Sequence, residues 1–149
     1  PTRCDRTRVQ AHASEEDTFR HGKRPRWRAD INKQAHARIE MARSDASSMQ
    51  VKTKMHLGGE GESDNGLIVE VSEDGDVLNT VCISTKPSCT CMYFTKADAK
   101  GDFQVCQHMY FVYIFVIGAR INDHMSIHQS VMTKEMLDYL LTNVMPSGA

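Results

Sequence analysis

A chain of 149 residues with 40% hydrophobic and 25% charged residues is long enough for one modest core and too short for several. Its formal net charge of −1 conceals an asymmetry: residues 1–54 carry 13 Lys/Arg against 7 Asp/Glu, and residues 55–149 carry 5 against 12. The acidic second half argues against a broad duplex-binding footprint, and the longest apolar run, "MYFVYIFVIG", is about half of what a bilayer-crossing helix needs.

Residues 1–28 are rich in Arg, His, Ser and acidic side chains and close on "KRPRWR". They are expected to form a disordered basic arm, suited to nucleic acid, an acidic partner or an import receptor, or serving only as a solvated linker. Within the arm Cys4 is expected to be a free thiol, and Trp27 to pack on the helix that follows. The chain opens on Pro1, which suggests a piece of a longer protein or a processed chain. No secretory signal is visible in the first thirty residues. That and the odd cysteine count favour a reducing compartment, nuclear or cytoplasmic.

Asp30 is positioned to cap a helix through about Ser44, with Ile31, Ala35, Ile39 and Ala42 on one stripe. The period then changes. In "MQVKTKMHL", Met49, Val51, Thr53, Met55 and Leu57 alternate with polar neighbours, which predicts a half-buried strand. An acidic glycine-rich loop follows, then two strands, "LIVEV" and "VLNTVCIS", joined around Asp74-Gly75, a pair that tolerates positive φ. Cys82 on the second strand reads as a buried thiol. Near the end of the chain, Thr133 would cap a last helix to about Asn143, with Met136, Leu137, Leu140 and Leu141 as its apolar face.

Between these elements lies the chemistry. Cys89 and Cys91 form a CxC, Cys106 and His108 a CxH, and fourteen residues separate the pairs. A disulfide between Cys89 and Cys91 would be strained, because Cα atoms two apart on a strand stand about 6.6 Å from each other. A Cys106 nucleophile with a His108 base would lack an orienting group and leave two cysteines without a role. A metal accounts for all four residues, since zinc takes four Cys or His ligands tetrahedrally. Residues two apart on a helix point about 200° away from each other, so Cys106 and His108 cannot both bind from inside one. Either both lie in extended chain, or Cys106 precedes a helix and His108 stands in its first turn. The second option makes the ambiguous run 109–118 a helix. His124 and His128, four apart, are a rival ligand pair. They are expected on a surface connection.

The order CxC, variable loop, CxH and then a long apolar helix resembles the SWIM zinc finger. "CTCMYF", "VCQHMYFVYIFVIG" and the preceding strand pair carry the likeness. A basic segment with "RIEMARS", the strand "MQVKTKM" and the late helix "TKEMLDYLL" extend it to the SWIM regions of RING-containing proteins of ubiquitin-ligase type. The chain departs from the pattern at Met92, where many members have proline, and at Gln107, where many have lysine. The resemblance implies one structural zinc ion held by Cys89, Cys91, Cys106 and His108, in a SWIM-type domain over residues 29–149 with its metal core at 67–118. It implies an α+β fold: a small antiparallel sheet of about three strands, a zinc-clamped helix, and flanking N- and C-terminal helices. The expected function is a non-enzymatic module for protein–protein contacts, as part of a ubiquitin ligase. The alternative is a nucleic-acid-binding finger of a chromatin, transposase-like or recombination-accessory protein, using the arm, Lys96, Lys100 and the aromatics Tyr93, Phe94 and Phe103. No membrane partner is expected.

Overall fold

A computed structural model describes residues 27–57, 65–75 and 77–142. The readings of the basic arm, Cys4 and the acidic loop fall outside these residues. Trp27 falls within them and is 56% exposed. Its neighbour Arg28 does the anchoring: its backbone N–H donates to Gln129 Oε1 at 2.6 Å and its guanidinium donates to the Phe103 carbonyl at 2.6 Å.

Helix α1, Lys33–Ser44, has Ala35, Ile39 and Ala42 on its buried face, as the spacing predicts. Asn32 rather than Asp30 caps it. The Asn32 side chain accepts from the Ala35 N–H at 2.7 Å, satisfying one of the first-turn donors that a helix cannot pair internally. A 3₁₀ turn, Ala46–Ser48, leads into a four-stranded antiparallel sheet in the order β1-β2-β3-β4. Its strands are β1 Met49–Leu57, β2 Gly66–Glu73, β3 Val77–Ile83 and β4 Ser88–Cys89. The fold is α+β, with one short strand more than the sequence suggested.

β1 departs from its expected pattern. The register slips between Val51 and Thr53, so one extra residue, Lys52, bulges out of the ladder. A one-residue slip exchanges the two faces of every residue beyond it. Met49 therefore joins the main core, whereas Leu57 packs with Ile68 and Cys82 on the opposite face. Between them the strand lies at the sheet edge with Val51 and Met55 largely exposed. Strand β2 is buried on both faces, through Leu67, Val69 and Val71 on one and Ile68 on the other. Asp74 and Gly75 turn the chain into β3 with φ of 57° and 82°, as their sequence anticipates. Cys82 is buried on β3 but is not a free thiol, which corrects that reading.

The main core lies between the Leu67/Val69/Val71/Val81/Ile83 face of the sheet and the helices. Two helices complete the core before the C-terminal region. α2, Met92–Ala99, occupies the segment expected to be a variable loop. α3, Gln107–Phe111, continues as a wider π-helical turn over Val112–Ile117, so the run 109–118 is helical. Among the described residues, no helix is long and apolar enough to cross a membrane. α4, Lys134–Thr142, buries Leu137, Leu140 and Leu141, and Thr133 Oγ1 accepts from the Met136 N–H at 3.1 Å as its cap.

Gly118 ends the π-helical turn at φ 86°, with no atom within 4 Å of where a Cβ would lie. An added methyl would meet no clash, so Gly118→Ala isolates the cost of the left-handed backbone. We expect a loss of about 1–2 kcal/mol, read as a lower urea midpoint with an unchanged slope.

Candidate metal centre

The site assembles where the sheet hands the chain to α2 and where α3 begins. Cys89 is fixed by the β3–β4 ladder, opposite Val81. The chain then bends, and Cys91 becomes the N-cap of α2 (φ −69°, ψ 159°). Its Sγ accepts from the Phe94 N–H at 3.4 Å, and Cys89 Sγ accepts from the Cys91 N–H at 3.5 Å. Both bonds stabilise negative charge on sulfur. After α2 the chain turns at Gly101 and returns to Cys106, which is extended (φ −89°, ψ 172°) at the N-cap position of α3. His108 follows in the first helical turn. This is the second of the two arrangements the CxH spacing allows.

All four side chains are buried, and one ligand atom from each lies within 4.8 Å of the others. His108 Nδ1 stands 4.0 Å from Cys89 Sγ and 3.9 Å from Cys106 Sγ. Tetrahedral zinc would set such nitrogen–sulfur pairs about 3.6 Å apart, so small inward movements suffice for closure. The four residues that the sequence singled out are brought together, and they could hold a metal ion.

Their electrostatics argue in the same direction. Burial, then the neighbouring Cys89 and Cys91, push the Cys106 thiol well above its ordinary range. The Cys89 thiol is also raised: hydrogen bonding to Cys106 favours its thiolate, but Cys91 and burial outweigh that. Cys91 is held far below the ordinary thiol range by hydrogen bonds from Cys106 and Cys89, against burial. Burial alone would lower His108, but Cys89, Cys91 and Glu73 raise it to about 11. Three sulfurs this close cannot all ionise beside one another without a cation, and a divalent ion supplies the missing charge in place of protons.

Two further groups touch the site without a local sequence signal. Glu73 Oε1 lies 3.0 Å from His108 Nε2, and Asn79 Nδ2 lies 3.4 Å from the same nitrogen. They reach the histidine across 35 and 29 residues of chain, and only the strand register brings them there.

The rival pair His124 and His128 is occupied elsewhere. His124 Nδ1 accepts from the Arg120 N–H at 2.8 Å. His128 is not on a surface connection but buried, with Nδ1 2.7 Å from the Tyr110 hydroxyl and Nε2 3.1 Å from the Ile121 carbonyl. A neutral ring satisfies both contacts, with Tyr110 donating to Nδ1 and Nε2–H donating to Ile121. Burial lowers the His128 pKa from 6.5; the Ile121 carbonyl opposes the shift, while His36 and Arg28 add to it. A depressed histidine resists protonation that the unfolded chain accepts. Stability is therefore full above about pH 6.5 and declines as pH falls below it, with a limiting slope of about 1.4 kcal/mol per pH unit. Urea midpoints of wild type and His128→Gln between pH 7.5 and 5 should differ in slope, the wild type falling more steeply.

No known family model, curated protein or solved structure matches the chain.

Proposed function

We propose that this chain is a structural zinc-binding module of SWIM type that serves contacts with another protein, as part of a ubiquitin ligase. The observation that carries the metal reading is the closed, buried set of three sulfurs and one imidazole nitrogen within 4.8 Å. With four protein ligands, a tetrahedral zinc keeps no position for water or substrate, so its role is structural rather than catalytic. Bound there, zinc would tie the end of β4 and the start of α2 to the start of α3. The SWIM resemblance rests on the ligand order and on the helix after the last ligand.

The protein-binding reading is favoured over nucleic-acid binding by the fate of the finger aromatics. Phe94 and Phe103 are buried against each other edge-to-face at 5.5 Å, and the Arg38 guanidinium covers the Tyr93 ring at 3.5 Å. None is left as a stacking platform for bases. Lys96 on α2 and Lys100 just after it are exposed, but Asp98 and Asp102 stand beside them in the chain. On α3, Tyr110 and Phe111 are buried, while Phe115 at the far end is half exposed and available to a partner.

Zinc content and X-ray absorption at the zinc edge test the metal reading. One zinc per chain in a shell of three sulfurs and one nitrogen is expected. No metal, or a shell rich in nitrogen and oxygen, overturns it.

A further inference from the structure

We infer that Glu73 is a positioning residue for the metal centre: its carboxylate fixes the ring of His108 so that the metal is bound through Nδ1. The inference rests on the metal reading above and goes beyond it, because Glu73 belongs neither to the CxC…CxH pattern nor to the finger loop.

The two ring nitrogens of His108 face different surroundings. Nδ1 is turned toward the sulfurs of Cys89 and Cys106, and Nε2 is turned away from them toward Glu73 Oε1 at 3.0 Å. A neutral imidazole carries one proton. If Nδ1 gives its lone pair to a metal, the proton must reside on Nε2, and with His108 only 3% exposed it needs an acceptor from the protein. Glu73 is that acceptor. Asn79 Nδ2, at 3.4 Å, cannot donate to a nitrogen that already carries hydrogen. A carboxylate on the far nitrogen both orients the ring and makes the ligating nitrogen more basic.

The backbone holds Glu73 in place independently of this contact. Glu73 is the last residue of β2, paired with Met49 of β1 on one side and Val77 of β3 on the other. The next residue is tied by the Asp74 N–H to the Ser48 carbonyl at 3.0 Å. Alternation along β2 puts residue 73 on the same face as Leu67, Val69 and Val71, the face that packs against the finger and helices. The Glu73 side chain is 26% exposed, so the group is not wholly withdrawn from solvent. The hairpin end of the sheet thereby becomes part of the metal centre.

The test compares Glu73→Ala and Glu73→Gln with wild type and with Glu70→Gln. Glu70 lies on the same strand and contacts Thr53 at 2.8 Å instead of the site. Zinc affinity is read by chelator competition. Ligation of His108 is read by nitrogen-detected NMR of the zinc-loaded protein. In wild type, metal on Nδ1 and a slowly exchanging Nε2–H are expected. Glu73→Ala should lower zinc affinity about 10–100-fold and speed exchange of that proton. Glu73→Gln keeps an acceptor oxygen and should lose less, and Glu70→Gln should match wild type. If the alanine variant does not fold, the glutamine variant carries the test, with affinity more than threefold below wild type and faster exchange of that proton expected. Affinity within threefold of wild type and unchanged exchange in the folded variants overturns the inference, as does metal on Nε2 in wild type. Both outcomes leave the zinc reading standing. Wild-type protein that binds no zinc overturns that reading first.

Discussion

Cys106→Ser is expected to strip zinc from the protein and unfold the segment from Cys89 to Gly118. Cys106 is fully buried where the chain enters α3, and its sulfur meets both the CxC pair and His108. Serine is nearly the same size but is a poor zinc ligand at neutral pH, so the substitution removes a metal bond with little change in volume. Structural zinc contributes about 10–16 kcal/mol of binding free energy in zinc-finger peptides. A whole domain is stable by only about 5–15 kcal/mol, so losing even half of the metal's contribution is enough to unfold this region. Without the ion, burial still raises the remaining Cys89 thiol, and the cluster keeps polar groups in an apolar setting without full partners. Zinc content, near-ultraviolet circular dichroism and limited proteolysis should change together. Chelation of wild type should reproduce the effect, and added zinc should reverse it. Cooperative folding of Cys106→Ser with its zinc fully retained would sink the claim.

Phe94→Ala should be the most damaging change among the finger residues that are not ligands. Phe94 is 3% exposed on α2 and packs edge-to-face on Phe103, whose ring lies 5.6 Å from the Arg28 guanidinium. Truncating a buried phenylalanine costs about 3–5 kcal/mol through lost burial and the cavity left behind. The loss is local to the segment that joins Cys91 to Cys106, so zinc should also leave faster under chelator challenge. Met92, one residue from Cys91 and 68% exposed, is the internal control. Met92→Ala should change stability by no more than about 0.5 kcal/mol. Equal zinc release rates in the two variants would mean that α2 does not brace the site.

Some elements of this molecule are written in a few neighbouring residues. Thr133 and the leucines of α4, the Asp74-Gly75 turn and the stripe of α1 depend on local backbone preference and on one helical period. The run 109–118 was ambiguous by period alone, being apolar on every side. The ligand spacing narrows it to two arrangements, and the structure takes the one in which the helix starts between Cys106 and His108. The segment 92–99 reads as loop by its residues yet is a helix, because its buried contribution is a single residue, Phe94. One apolar side chain makes no period, and the cap that starts the helix is a cysteine, which is not among the usual capping residues.

The sequence by itself singled out the candidate ligand set: which four residues, in what order, and that no helix can hold both Cys106 and His108 in its interior. These follow from local geometry, because each pair of ligands lies two residues apart. Tertiary structure alone decided the rest of the site. Glu73 meets His108 because β2 pairs in one register with β1 and β3, and the bulge at Lys52 sends the two ends of β1 to opposite faces. Likewise His128 is drawn from an expected surface position into the core by the Tyr110 hydroxyl and the Ile121 carbonyl. Such contacts join residues far apart in the chain, and their geometry is set by packing and strand register, which no local pattern of residue types encodes.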